Sequence, residues 1–279
     1  MIKNILLGYS GSRGAQVALS QAVDIARPAK ARLHVTAIEP LAAGETQVAL
    51  SAETYADGAT APLPDALPVV MAEAAEPAPT AELENIAEIC RREEVFCTFQ
   101  HYYGDPAQRL LQVSRTANLL VVARRDEPKP GQTQIIGRTA RYLATHAAIP
   151  TLFTDREHLP AKSATLLYEP RAGGGRALAM AGEVCMLLNI TLNVLCLPAG
   201  EVSAEAAEHE ARFALRAYHL DGEFQKATAN VAGALQNAAL SWNDPLIFLA
   251  TPPRQLLFNN TESVRVALGL PNTNVLIVP

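Results

Sequence analysis

Short apolar runs alternate with stretches of helical spacing along nearly the whole chain. IKNILLGY is a brief apolar run that ends in SGSRG, which is turn and N-cap chemistry. AQVALSQAVDIA follows with Val17, Ala18, Ala22 and Ile25 on one helical face, and Pro28 is expected to stop it. RLHVTAI predicts a second strand. Residues 40–79 then break the pattern with Pro40, Pro62, Pro64, Pro68, Pro77 and Pro79 among many alanines, which reads as a long, partly ordered insertion. Thr80 is placed to cap the helix AELENIAEICRRE, and VFCTFQHYY is a third strand. Asp105 and Pro106 suit the N-cap and first position of AQRLLQVSRTA. LLVVA is the unbroken apolar run of a central parallel strand. A Pro/Gly loop, the helix around GRTARYLATHA and the strand IPTLFT complete the plan β-α-β-α-β-α-β-α-β.

The plan then repeats. After the polar linker DREHLPAKSA come ATLLYEP, GGGRALAMAGEVCMLLN, TLNVLCL, AEAAEHEARFALRAYHL, GEFQKATA, VAGALQNAALSW, PLIFLAT, TESVRVALGL and NVLIVP. The register persists at residue level. Tyr9 and Tyr168 lie 159 residues apart (168 − 9), and the same offset pairs Gly14 with Gly173, Ala22 with Ala181, Leu33 with Leu192 and Val35 with Val194. Downstream the offset falls to 127 (250 − 123) between Ala123 and Ala250, and to 124 (276 − 152) between Leu152 and Leu276. The first copy is therefore longer by about one surface insertion. The expected fold class is α/β, with two tandem, open, five-stranded parallel-sheet domains and helices on both faces. The expected domains are 1–154, including the insertion at 40–79, and 164–279. Ligands in such sheets bind beyond the C-terminal ends of the strands, at the switch point in strand order.

Composition narrows the class of function. Apolar residues make up 49% of the chain, enough for two cores, and the net charge of −5 argues against nucleic acid. No apolar run has the length of a membrane span, and the N-terminus reads as a strand rather than a signal peptide. Cys90, Cys97, Cys185 and Cys196 form no CxxC pattern, which fits reduced thiols in a cytoplasmic protein. No His, Cys and Asp set has metal-ligand spacing, and no nucleophile and base pair is evident. His101, beside Tyr102 and Tyr103 near a strand end, is without a nucleophile partner and reads as structural. Cys90 and Cys97 are local neighbours, read as two buried thiols or, alternatively, as a redox pair. Gly173-Gly174-Gly175, flanked by Arg171 and Arg176, reads as a flexible turn or as an anion site at a helix start.

Three stretches together carry a family resemblance: ILLGYSGSRGAQVALSQAVDIA, YYGDPAQRLLQVSRTANLLVVARR and IIGRTARYLATHAAIPTLF. They resemble the first strand, turn and helix, the Gly-Asp-Pro turn with its helix and fourth strand, and the last helix and strand of the universal stress protein family. In residues 164–279 the resemblance rests mainly on the internal repeat. It implies the adenine nucleotide alpha hydrolase-like fold of that family, with the last strand of each copy pairing across a dimer-like interface, here within the chain, and a homodimer as a further possibility. Family members that hold ATP carry G-x2-G-x9-G-[ST] after the fourth strand, where glycines let backbone amides approach phosphates. Here Ala123 and Asp126 occupy the first two glycine positions, and ten residues rather than nine precede Gly137. Ser10 stands where the family usually has Asp. The second copy has Ala250 and Pro253 at the glycine positions, and Pro252 and Pro253 remove amide donors. These departures argue against a normal ATP cradle in either half.

The function expected is a non-catalytic stress-response or regulatory binding protein, with an unidentified protein or small ligand as partner and no required cofactor. The alternative is a switch that holds an adenine nucleotide in the first domain. The residues expected to touch a ligand are Ser10, Gly104, Arg124, Gly131, Gly137, Arg138 and Thr139, all near strand ends or a helix N-terminus.

Overall fold

The computed structural model describes residues 1–39, 81–125, 136–155, 157, 161–170, 173–220, 222–227, 231–251 and 261–279. The insertion at 40–79, the capping position Thr80, Asp126, Gly131, Arg171, Pro252 and Pro253 lie outside them.

Residues 4–154 supply β1 (Asn4–Tyr9), α1 (Arg13–Ala29), β2 (Arg32–Glu39), α2 (Ala81–Arg92), β3 (Cys97–Tyr103), α3 (Pro106–Val113), β4 (Leu119–Ala123), α4 (Arg138–His146) and β5 (Thr151–Thr154). Residues 163–278 supply β6 (Ser163–Tyr168), α5 (Gly174–Leu188), β7 (Thr191–Cys196), α6 (Ala204–Leu215), β8 (Phe224–Lys226), α7 (Val231–Trp242), β9 (Leu246–Ala250), α8 (Thr261–Gly269) and β10 (Asn274–Val278). All ten strands form one sheet in the order β3-β2-β1-β4-β5-β10-β9-β6-β7-β8. Each half thus contributes five parallel strands in the same order, and the halves meet where β5 and β10 pair antiparallel.

That seam has pseudo-twofold geometry. Leu152, the repeat partner of Leu276, lies directly opposite it, flanked by Phe153 against Val275 and Thr151 against Ile277. A self-complementary contact of this kind normally joins two subunits; here one chain supplies both sides. The equivalent helices α1 and α5 pack together beside the seam.

Alternation along the strands sorts the core into two layers. Ile5, Leu7 and Tyr9 of β1 and Leu119 and Val121 of β4 face the layer covered by α1, α2, α5 and α6. Leu6, Leu120 and Val122 face the layer that includes Leu110 of α3 and Leu143 of α4. Local chemistry sets the helix ends. The Ser12 hydroxyl accepts from the Ala15 amide at 3.1 Å, and Asp105 accepts from the Gln108 amide at 3.0 Å. Pro28 does not stop α1 as the sequence predicts. The helix runs on to Ala29 and ends at Lys30 in the left-handed conformation (φ 49°), whose amide bonds back to Ala26 and Arg27.

Candidate functional site

A cleft of about 210 Å³ opens at the C-terminal ends of β1, β2 and β4 in the first half. Its floor is Gly8, Thr36 and Val122, which are neighbours in the sheet because Gly8 pairs with Thr36 on one side and Val122 on the other. Its walls come from Pro106 and Leu110 of α3 and Thr139 in the first turn of α4, and its rim holds Ser10, Ser12 and Arg125. A Cβ on Gly8 would lie 2.9 Å from the end of the Leu110 side chain and 3.1 Å from Val122, so a larger residue there pushes these side chains toward the cleft. Thr36 is wholly buried, and its hydroxyl has no hydrogen-bond partner within the fold. An unpaired buried hydroxyl costs roughly 1–3 kcal/mol, so one at the floor of a cleft marks a group kept for something other than stability.

The residues expected to bind a ligand do not all converge on this cleft. Ser10 and Thr139 line it, and the Ser10 hydroxyl is hydrogen-bonded to that of Ser12 at 3.0 Å. Gly137 is the N-cap of α4, without a side-chain cap, and its amide donates to the Arg124 carbonyl at 2.9 Å. Gly104 takes a left-handed φ of 128° over the Arg109 side chain and does not line the cleft. Arg138 is 86% exposed and faces Asp105 at 3.3 Å, the position of a screened surface charge. Gly131 lies outside the described residues.

Arg124 departs most from expectation. Its guanidinium is fully buried, 2.5 Å from the Asp155 carboxylate, and donates to the Leu270 carbonyl at 2.8 Å. It therefore joins the halves rather than facing a ligand. Burial pushes its pKa down to about 10, which still leaves it charged at neutral pH. Arg125 is drawn to the same carboxylate at 2.9 Å. Asp155 also accepts from the Asn272 amide at 2.9 Å, and its own amide donates to Asn274 at 2.9 Å. Arg124, Arg125 and Arg138 thus each face a protein carboxylate.

The second half carries different residues at the equivalent sheet positions. Leu167 pairs with Leu195 and with Leu249 in the register in which Gly8 pairs with Thr36 and Val122. All three leucines are buried in the apolar core. Sequence reading missed Gly8 and Thr36, although the repeat offset of 159 (167 − 8) already sets them against Leu167 and Leu195. The glycine run of the second half is a turn into α5: Gly173 has φ 96°, and a Cβ on Gly174 would lie 2.0 Å from the Glu169 carbonyl.

Other candidates resolve into local contacts. His101 sits 3.2 Å from Glu39 and edge-on to Tyr103. Among the described residues no three His, Cys, Asp or Glu side chains could hold a metal ion, and no helix is long and apolar enough to cross a membrane. The Tyr9 hydroxyl donates to Glu82 at 3.0 Å; burial first, and then this carboxylate, pushes its pKa up to about 12. Burial likewise raises the Cys185 and Cys196 thiols from 9.0 to about 12. Groups whose folded pKa is raised hold their protons more tightly when folded, so their contribution is present below the unfolded pKa and lost as pH rises through the folded one. The midpoint of urea unfolding is expected to fall steadily between about pH 9 and about pH 12. A midpoint that is flat or rising over that range would contradict the burial of these groups.

The universal stress protein family model matches residues 1–154. Among solved structures, a universal stress protein from Archaeoglobus fulgidus DSM 4304 is 11% identical, with 99% of this chain and 97% of that one covered and a TM-score of 0.72. A functionally unknown protein from Pseudomonas aeruginosa PAO1 is 17% identical, with coverage of 99% and 92% and a TM-score of 0.63. At these identities the likeness is one of fold. No curated protein matches the chain. With the family model spanning more than half of the sequence, the chain belongs to the universal stress protein family.

Proposed function

We propose that this chain is a non-catalytic, cytoplasmic stress-response protein that acts by binding. In this reading residues 1–154 carry a small-ligand site, and residues 164–279 are a degenerate copy retained as its structural partner. One observation carries the reading: the floor of Gly8, Thr36 and Val122 is replaced in the second half by Leu167, Leu195 and Leu249 at the same sheet positions. The two halves share their strand order, so these positions compare directly. The polar groups at the cleft (Ser10, Ser12, Thr36 and Thr139) suit a small ligand that is neutral or weakly charged. A polyphosphate is disfavoured, because Arg124 and Arg125 are engaged by Asp155 and Ala123 stands at the first glycine position. The β5–β10 pairing takes up the edge through which single copies would associate, leaving it unavailable to a second chain.

The second reading is an adenine-nucleotide switch in the same cleft. It is favoured by Thr139 and the α4 N-terminus, where uncapped amides and the helix dipole attract an anion. Two measurements separate the readings. Calorimetric titration with Mg-ATP is expected to give no Kd near or below ~1 μM, about −8 kcal/mol; a tighter complex would favour the switch. Purified protein is expected to release a small molecule detectable by mass spectrometry. The double variant Gly8→Leu/Thr36→Leu, which copies the second half, should release at least ~10-fold less, a loss of about 1.4 kcal/mol or more. Leu167→Ala should leave release unchanged. Equal release from the double variant would place the ligand elsewhere.

A further inference from the structure

Cys90 and Cys97 flank a tight turn. Cys90 lies in the last turn of α2 and is 1% exposed, packed in the core. Cys97 is the first residue of β3, which among the described residues pairs only with β2, and it is partly exposed. Between them the chain reverses through Glu94 in the left-handed conformation (φ 57°), and the Val95 amide bonds back to the Cys90 carbonyl at 2.8 Å. Both side chains face the same core layer, Cys90 within the cluster that holds Ile86 and Val95 and Cys97 packed against it. The environments are unequal. The neighbouring Cys90 thiol first, and then the Arg91 charge, hold the Cys97 thiol down against the pull of burial, while its neighbour and burial drive Cys90 up. By contrast, Cys185 and Cys196 are both buried with raised pKa values.

We infer that Cys90 and Cys97 form a peroxide-oxidisable dithiol, with Cys97 as the thiol that meets the oxidant and Cys90 as the one that closes the disulfide. The oxidant is a hydroperoxide. The Cys97 thiolate attacks the distal peroxide oxygen, the O–O bond breaks, and the other oxygen leaves as water or an alcohol, so Cys97 becomes a sulfenic acid. The Cys90 sulfur then attacks the Cys97 sulfur. The S–S bond forms, the S–O bond breaks, and water leaves with the Cys90 proton. Two thiols lose two electrons and the peroxide gains them. The partition of roles follows from access: the partly exposed thiolate is the one a small oxidant can reach, and the buried thiol is held against it. The bond would tie the end of α2 to β3. It closes only a short loop, so its consequence is a fixed local geometry more than added stability.

The test uses the full chain with hydrogen peroxide at neutral pH, followed by denaturing alkylation and mass spectrometry. The expected product is a chain lighter by two hydrogens, with Cys185 and Cys196 alkylated, Cys90 and Cys97 joined, and full reversal by a dithiol reductant. The pair should oxidise at least ~10-fold faster than Cys185 or Cys196, given the difference in thiolate fraction. Cys90→Ala should trap Cys97 as a sulfenic acid that reacts with dimedone, and Cys97→Ala should give neither adduct nor disulfide. Circular dichroism establishes that each variant folds; where one does not, the wild-type peptide map decides alone. A wild-type product in which Cys97 goes on to the sulfinic acid while Cys90 stays alkylatable would overturn the assignment. So would a disulfide between two chains, or oxidation no faster than that of Cys185 and Cys196.

Discussion

Replacing Asp155 by alanine is expected to lower the unfolding free energy by about 3–5 kcal/mol, the cost of leaving a buried partner charge uncompensated. Arg124 is fully buried, so its guanidinium cannot turn to water when the carboxylate is removed. The same change takes an acceptor from Arg125 and from the Asn272 amide, which together fasten the end of β4 to the chain before β10. The loss should concentrate at the junction of the halves. Urea unfolding followed by circular dichroism measures it, and the double variant Arg124→Met/Asp155→Ala should recover most of it, because the buried cation is then gone too. A loss below about 1 kcal/mol in Asp155→Ala would mean that the pair is effectively solvated. The clamp is one-sided. The repeat counterpart of Arg124 is Thr251, at the offset of 127 (251 − 124), and what the two share is one backbone bond: the Arg124 amide to Thr154 and the Thr251 amide to Val278, each 2.8 Å.

Asp244→Ala is expected to cost about 2–4 kcal/mol, since hydrogen bonds to a buried carboxylate are among the stronger ones and their donors would be orphaned. Asp244 is 4% exposed and accepts from three side chains: the Ser163 hydroxyl, the Thr165 hydroxyl at 2.6 Å and the Asn193 amide at 3.0 Å. Asn193 in turn accepts from the Glu223 amide at 3.0 Å, so the carboxylate organises the starts of β6 and β7 and the entry to β8. Asp244→Asn keeps one acceptor oxygen but points an NH₂ at hydroxyl neighbours, and should lose roughly half as much. Thermal unfolding of the two variants orders them. If Asp244→Ala proves as stable as the wild type, the network is not holding this edge of the sheet.

Much of the fold was legible from the chain. The run LLVVA announced a central parallel strand, and it lies between β1 and β5 in the interior of the sheet. Asp105-Pro106 announced a helix start, and the Asp105 side chain caps α3. The offset between Leu152 and Leu276 announced a repeat, and those residues face each other across the seam. These signals are local or periodic, so each is written in a few consecutive residues. The site was less legible. Ser10 and Thr139 were reachable from their places at a strand end and a helix start, yet Thr36 resembles any strand threonine until its hydroxyl is seen without a partner. Arg124 looked like its neighbour Arg125, and only the approach of Asp155 and Leu270 from elsewhere in the chain gives it its role.

The sequence by itself determined the alternation of strand and helix, the duplication and the family, because apolar period, turn residues and repeat register are one-dimensional properties. The family resemblance already implied that the last strands pair within the chain; only the tertiary structure decided that β5 and β10 do so antiparallel with Leu152 against Leu276, and that Gly8, Thr36 and Val122 adjoin at the floor of one cleft. It also decided which arginine is a clamp and which thiol is exposed. These outcomes depend on which distant side chains arrive at the same place, and on whether a buried polar group meets a partner there, neither of which a run of neighbouring residues records.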